Sequence, residues 1–272
     1  MSVPNPQQSH AVVQPPLKPL ETLTKRRVLD VNVTNASFDA VLETVVNWGR
    51  LHRSSYVCIS AVHLLVESHH NKALRELVNN ADIVTPDGRP VSLLMNLLYG
   101  TRQEQVAGPD LMPELFRRAE EEGLKVAFFG CTPEVLQKLE GVIQQKHPNL
   151  DVTTYIPHPH RPMSDAEDQA VVDQVNASGA NILFVAIGCP LQEQWIAAQV
   201  GKVNAVMLGV GAAVPFFSGD KRRCPKWVQA ICLEWLWRLL EEPKRLFKRY
   251  FVTNTQFLAL GLRQFLNLRF RG

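Results

Sequence analysis

The segment Asn181–Trp195, NILFVAIGCPLQEQW, decides the fold class. Its first seven residues are mostly branched and apolar, without polar alternation, which is typical of a strand covered on both faces of a parallel sheet. Gly188 interrupts the run, and Pro190 suits the first turn of a helix. Open α/β sheets bind anionic ligands at such strand-to-helix turns. An ordinary turn has the same shape, but the side chains of Gln192 and Glu193 favour a site for a sugar or a nucleotide.

Strand and helix patterns alternate along residues 25–220 at intervals of about 25 residues. The first strand is predicted at Val28–Val33 and the last at Val203–Leu208, with a single helix over His63–Asn79. Gly49 is expected to end the helix that precedes the second strand. We therefore predict an α/β domain with a Rossmann-like, doubly wound and mostly parallel sheet.

The two ends of the chain differ from this pattern. Residues 1–24 are polar and rich in proline, which predicts a disordered segment. Residues 221–272 read as helices only and hold 12 Lys and Arg against three Glu, whereas the first 220 residues have a net charge of about −6. We call residues 221–272 the appendage. A basic, amphipathic appendage indicates an anionic partner, namely membrane lipid, a phosphate substrate or nucleic acid. Packing on the body or on a second subunit is the alternative, so a homo-oligomer stays open.

The composition also bears on the cellular compartment. The five cysteines are scattered, odd in number and without a CxxC pair, which favours a reducing environment. The sequence contains no uninterrupted run of about 18 apolar residues, so we predict no membrane-spanning helix. The N-terminus lacks the basic-then-apolar pattern of a signal peptide, so we expect a cytoplasmic protein.

Asp87 is the candidate catalytic residue. It follows a short apolar strand and stands between Pro86 and Gly88. A carboxylate at the carboxyl end of a strand lies in the ligand crevice of an α/β sheet and can act as a general base. Pro-Asp-Gly is also a common turn sequence, and spacing alone favours the turn.

The sequence argues against several other site types. Gly209-Val210-Gly211 begins like a dinucleotide fingerprint, but Val214 stands at the third glycine position. No phosphate-binding loop of the G-x-x-x-x-G-K-[ST] type occurs. The histidine pairs lack partners at metal-ligand spacing, and there is no Asp-x-Asp. We therefore predict neither a metal ion nor a cofactor, with Gly209 and Gly211 permitting close approach of a ligand.

Arginines and tryptophans alternate in the appendage. Arg238, Arg245 and Arg249 are seven and four residues apart, so one continuous helix would bring them onto a single face. Such a face can clamp a diphosphate. A solvated basic face is the plain alternative, although the interleaved tryptophans favour an interfacial role.

Taken together, these motifs resemble the WecG/TagA/CpsF family of glycosyltransferases, glycosyltransferase family 26. The similarity runs from about residue 27 to residue 252 and keeps the order of the family's motifs. The ordered motifs are PDG at 86–88, G-x-D-L at 108–111, G-x-P-x-Q-E-x-W at 188–195, G-V-G at 209–211, R-x-P-x-W at 223–227, E-W-L-x-R-L at 234–239, and E-P-x-R followed by R-Y within 242–250.

The resemblance implies an inverting, metal-independent transfer of a sugar from a UDP-sugar to a polyprenyl-diphosphate-linked acceptor in surface polysaccharide synthesis. Asp87 matches the family's proposed base. Arg238 and Arg245 match arginines that contact the lipid diphosphate, and Lys248 or Arg249 supplies a third basic group. Substrate contacts are expected from Gly188, Gln192, Glu193, Gly209 and Gly211, with the enzyme peripheral on the inner face of the plasma membrane.

The chain departs from the family pattern at a few positions. Ala61 replaces an asparagine, Pro90 a glycine, Gln105 an arginine, and Val214-Pro215 a Phe-Asp pair. These departures bear on the transferred sugar, which the resemblance implies to be of the N-acetylmannosamine type, its uronic acid or glucose. A nicotinamide-dependent oxidoreductase is the alternative enzyme, and a basic nucleic-acid-binding module is a third reading, although the Trp and Leu content of the appendage suits lipid better.

Overall fold

A computed structural model describes residues 23–270, except for the side chain of Arg245. Most of the predicted N-terminal disordered segment, residues 1–22, lies outside the described residues, as do residues 271–272. The described part contains eight strands: β1 Thr24–Val28, β2 Val31–Asn35, β3 Ser55–Ser60, β4 Ile83–Pro86, β5 Val126–Gly130, β6 Val152–Ile156, β7 Ile182–Ala186 and β8 Val206–Gly209.

The helices of the body fall between these strands and cover both faces of the sheet. They are α1 Phe38–Arg50, α2 Val62–His70, α3 Lys72–Asn80, α4 Arg89–Tyr99, α5 Gly108–Glu122, α6 Pro133–Lys146, α7 Asp165–Ser178, α8 Leu191–Ala198 and α9 Ala213–Phe217. The appendage contributes α10 Lys226–Ala230, α11 Glu234–Glu241 and α12 Pro243–Phe270.

Six strands form one parallel sheet in the order β4-β3-β8-β7-β5-β6. The run from residue 182 explains why this sheet is parallel and covered on both faces. Ile182 and Phe184 pack into the core on one face, while Leu183 and Val185 pack into the core on the other. Alternate side chains of a strand point to opposite faces, so a continuous apolar run is satisfied only between two helical layers. The Rossmann-like α/β prediction is confirmed.

The predicted strand Val28–Val33 is wrong. The chain instead forms an antiparallel hairpin of β1 and β2, in which Val28 pairs with Val31. The two-residue turn between them has Leu29 at a φ of 55°. Such turns usually carry glycine or asparagine, so the sequence gives no hairpin signal there. The hairpin forms a sheet of its own beside the parallel sheet.

Two helix boundaries and one strand boundary also differ from prediction. The predicted helix His63–Asn79 is two helices, because Asn71 ends α2 and its side chain accepts a hydrogen bond from the Leu74 N–H to cap α3. Gly49 lies inside α1 and does not end it. Val203 precedes the last strand, which begins at Val206.

The appendage packs on the body mainly through α12, which contacts α2 and α4 of the body and also α11 within the appendage. Its buried side chains are Leu246, Tyr250, Thr253 and Phe257, spaced four, three and four residues apart. This spacing marks a single narrow stripe along the helix. Among residues 23–270, no helix is long and apolar enough to cross a membrane. The boundary between body and appendage at residue 220 stays a prediction.

Candidate active site

A cavity of about 670 Å³ lies at the carboxyl ends of the strands of the parallel sheet. Loops that follow all six strands of this sheet reach its wall. The appendage covers the other side with residues from α10, α11 and α12. Ligands of open α/β folds bind at this edge, and the volume suits a nucleotide-sized ligand. We therefore take the cavity as the candidate active site.

Most of the predicted site residues line this cavity. They are Asp87, Gly188, Gln192, Gly209, Gly211, Arg238 and Arg249. Glu193 does not reach the cavity, because it is only 1% exposed and lies beneath Gln192. Arg245 belongs to α12, and its side chain lies outside the described part of the structure. The sheet thus brings together residues that are far apart in the sequence.

Asp87 occupies the position that the strand pattern predicts. Its N–H donates to the carbonyls of Ser60 and Thr85, both at 3.0 Å, which fixes the residue at the end of β4. Gly88 follows with a φ of 95° and starts α4, so this Pro-Asp-Gly sequence joins a strand to a helix. Among the described residues, the carboxylate has no hydrogen-bond or ion-pair partner, and it faces the cavity.

The surroundings of Asp87 suit proton transfer near neutral pH. Burial, with a further contribution from the nearby Glu234 carboxylate, raises its pKa to about 7 against the opposing effect of Arg238 and Arg223. A carboxyl group acts best as a general base when its pKa lies near the working pH, because it is then both ionised and a strong proton acceptor. Unpaired and half-buried at the cavity wall, Asp87 can accept a proton from a bound hydroxyl.

Arg238 of α11 lines the same cavity as Asp87 and lowers its pKa. Its guanidinium stacks over the ring of Phe216 at 5.6 Å and makes no ion pair with any described residue. Arg223 is already engaged, because it donates two hydrogen bonds to Asp110, at 2.7 and 2.6 Å. Arg238 is therefore available to a ligand anion, whereas Arg223 anchors the start of the appendage to α5.

The three arginines of the appendage do not lie on one continuous helix, contrary to the prediction from their spacing. Arg238 lies on α11, whereas Arg245 and Arg249 lie on α12, and the two helices are separate. Pro243 starts α12, and proline cannot continue a helix because it lacks the N–H that donates within it. Arg238 and Arg249 still line the same cavity, but they reach it from two separate helices and not from one face of a single helix.

Gln192 explains the glycines at the end of β8. Its Nε2 donates to the carbonyl of Gly209 at 3.0 Å and to Oε1 of Glu193 at 2.9 Å. A Cβ atom at Gly209 would lie 3.1 Å from Nε2 of Gln192, and one at Gly211 would lie 3.2 Å from its Oε1. Gly211 also has a φ of 47°. The two glycines thus leave room for the amide of Gln192.

The backbone N–H groups near these glycines are less available to a ligand than the strand-to-helix turn pattern predicts. The N–H groups of Val210 and Gly211 both donate to the carbonyl of Val185, at 2.9 and 3.3 Å. A ligand anion near Gly209 therefore has to draw on other groups. Cationic side chains at the cavity without an ion-pair partner within residues 23–270 can meet this need, and they are Arg238 and Arg249 on the appendage and Arg89 on α4.

The departures from the family pattern also fall at the cavity. Ala61, Pro90, Gln105 and Pro215 all line it. Ala61 is the N-cap residue of α2 and gives that helix no side-chain cap. Within residues 23–270, no three His, Cys, Asp or Glu side chains come together in a way that could hold a metal ion.

The comparison with known proteins agrees with this geometry. The profile of the glycosyl transferase WecG/TagA/CpsF family matches residues 26–271. The chain belongs to this family. Members of the WecG/TagA/CpsF family, glycosyltransferase family 26, are glycosyltransferases of cell-surface polysaccharide biosynthesis. Membership implies, in general terms, a sugar-nucleotide donor and a lipid-linked acceptor.

Sequence reasoning missed two acidic contributors to this WecG/TagA/CpsF site. Glu234 lines the cavity, and Asp110 holds Arg223. Both belong to motifs that the sequence contains, G-x-D-L and E-W-L-x-R-L, but neither motif reveals that its acid points at Asp87 or at an arginine of the appendage. Only the packing of the appendage over the sheet brings these groups together.

Proposed function

We propose that this protein transfers a sugar from a UDP-sugar to a polyprenyl-diphosphate-linked acceptor, with inversion and without a metal ion. Asp87 takes the proton from the acceptor hydroxyl as the sugar leaves UDP. The observation that carries the proposal is an unpaired, half-buried carboxyl with a pKa of about 7 at the carboxyl end of β4. The donor sugar is of the N-acetylmannosamine type, its uronic acid or glucose.

The negative charge of the substrates is met from the appendage. Arg238 and Arg249 have no ion-pair partner among the described residues and reach the same cavity as Asp87. Two diphosphates enter this reaction, one on the leaving UDP and one on the lipid. Guanidinium groups stabilise such charge best where water is excluded, as between a sheet edge and covering helices.

The same helices support an approach to the membrane surface. Phe247, Phe251, Leu258 and Leu262 lie on the outer side of α12 and are between 59% and 70% exposed. Basic side chains, among them Lys248 and Arg263, lie on the same helix. An amphipathic helix of this kind lies in the plane of an anionic lipid surface. We propose a cytoplasmic enzyme held on the inner face of the plasma membrane.

Release of UDP tests the proposed function. The full chain would be mixed with a panel of UDP-sugars, with and without a polyprenyl-diphosphate-sugar acceptor, in buffer with and without EDTA. We expect acceptor-dependent release with one donor and no effect of EDTA. Absence of release with every donor would contradict the proposal. A second set of reactions uses the protein without residues 221–272. If UDP is still released, the appendage serves only to attach the enzyme to the membrane; if release is lost, the appendage also takes part in transfer.

A further inference from the structure

Among the described residues, three acidic side chains line the cavity, and they differ in their partners. Asp220 forms an ion pair with Lys138 at 2.6 Å. Asp87 and Glu234 have neither a hydrogen bond nor an ion pair with any described residue. A carboxyl without a partner at a partly desolvated site costs free energy. One such group is explained by its role as the base, and the second has no role in the function proposed above.

Glu234 differs in its placement from an ordinary acidic residue in the first turn of a helix. An acid in that position normally stabilises the helix through its dipole while it stays solvated. Glu234 begins α11 but is turned toward the cavity, where burial raises its pKa in spite of Arg223 and Arg238. Glu241 ends the same helix and is exposed to solvent. The helix thus carries one acid into the site and leaves the other outside.

The charges around Asp87 come from several elements. Arg238 and Arg223 lower its pKa, whereas Glu234 and, more weakly, Asp110 raise it. After burial, Glu234 is the largest contribution. Arg223 and Asp110 form an ion pair with each other, so their opposing effects partly cancel. His63, Arg89 and Arg249 also line the cavity, on α2, α4 and α12, but none of them is among the groups that shift Asp87.

We propose that Glu234 is a positioning residue of the transfer site, which the appendage brings beside Asp87 to set the proton-accepting strength of that carboxylate. The proposal rests on Asp87 being the base. The strength of a general base follows its affinity for the proton, so a neighbouring negative charge makes Asp87 a better acceptor near neutral pH. The appendage then takes part in the chemistry as well as in lipid binding.

The test compares Glu234→Gln with Glu241→Gln, two variants that remove the same charge from the same helix. The titration midpoint of Asp87 would be measured by carboxyl carbon NMR on the ligand-free full chain. We expect it to fall by roughly half a pH unit or more in Glu234→Gln, and to stay unchanged in Glu241→Gln. Arg238→Gln should move the midpoint the opposite way, which a general loss of packing would not do.

Activity adds a second readout. The acid limb of kcat/KM should move with the NMR midpoint in each variant, and Glu234→Asp, which keeps the charge, should restore most of the wild-type profile. An Asp87 midpoint in Glu234→Gln equal to that of the wild type, in a protein with native circular dichroism, would overturn the proposal. A midpoint that falls while the activity profile stays fixed would uphold the effect of Glu234 and remove Asp87 as the base.

Discussion

The sheet edge and the appendage form the two walls of the same cavity, but they are held in different ways. The strands that carry Asp87 and Gly209 are buried throughout, between two separate cores. In contrast, α11 has no fully buried residue, and α12 is held by one narrow stripe of side chains. The sheet therefore fixes Asp87 and the two glycines from within the cores, while the appendage supplies its arginines from outside them.

The largest effect should come from the sheet side. Asp87→Asn keeps the shape of the side chain and removes the proton acceptor. We expect transfer to fall by about 10²–10⁴-fold, the usual range for a lost general base, with KM for the donor little changed. Steady-state kinetics would measure this. Turnover close to the wild-type value would exclude Asp87 from the mechanism.

The stability of Asp87→Asn relative to the wild type should depend on pH. The native-state pKa of Asp87 is raised from 3.8 to about 7, so the folded protein binds this proton more tightly than the unfolded chain does. Stability is therefore lost as the pH rises from about 4 to about 7, where Asp87 must ionise within the fold. We expect Asp87→Asn to raise Tm at pH 8 and to leave it unchanged at pH 4. A Tm gain of equal size at both values would contradict the linkage.

The next largest effect should come from the appendage side. Arg238→Gln removes an unpaired guanidinium from the cavity, and Arg222→Gln removes an exposed one outside it. We expect a loss of about 10–100-fold in kcat/KM for Arg238→Gln, since a hydrogen bond to a charged group contributes about 1.5–3 kcal/mol. Arg222→Gln should retain wild-type kinetics. Equal losses in both variants would mean that the net charge of the appendage matters more than its placement.

A smaller effect is expected at the outer face of α12. The pair Phe251→Ser and Leu258→Ser removes two apolar side chains that are 68% and 70% exposed. Sedimentation with anionic vesicles should show binding weakened roughly tenfold or more. Leu51→Ser, which changes a 62% exposed leucine on the body, should not weaken binding. Transfer to a water-soluble acceptor should stay the same in the double variant and in Leu51→Ser.

The smallest effects concern single methyl groups. Gly209→Ala places a Cβ 3.1 Å from Nε2 of Gln192, so we expect a destabilisation of about 1–2 kcal/mol. Gly141→Ala meets no atom within 4 Å on α6 and should instead stabilise the protein by about 0.5–1 kcal/mol. Urea denaturation would measure both values. A neutral Gly209→Ala would show that the amide of Gln192 can move aside.

The parallel sheet can be predicted because its evidence is local. The run of apolar residues at 182–186 requires burial on both faces, whatever the rest of the chain does. The hairpin cannot be predicted in this way, because its β1 strand, TKRRV, reads as a basic charge run and Leu29 is an unusual turn residue. The break between α2 and α3 can be predicted from the sequence, since Asn71 is a good N-cap residue.

Residues on both sides of the site can be predicted, but only the sheet side follows from a structural rule. Asp87 and Gln192 follow from the rule that ligands bind at the carboxyl ends of parallel strands. The arrangement of the appendage does not follow from spacing, because Pro243 divides the helix that would have aligned Arg238 with Arg249. The inward direction of Glu234 and the burial of Glu193 depend on tertiary packing, which no local pattern encodes.

The most informative single measurement is the pH dependence of kcat/KM for the wild-type enzyme, because it reports the proton affinity of the base in the free protein. With a UDP-sugar donor and a polyprenyl-diphosphate-linked acceptor, a base at Asp87 should give an acid limb with a midpoint near pH 7, the value to which burial and Glu234 raise its pKa, and this is the result we expect. A midpoint near pH 4, the ordinary range of an aspartate, would contradict it, as would an unchanged limb in Asp87→Asn.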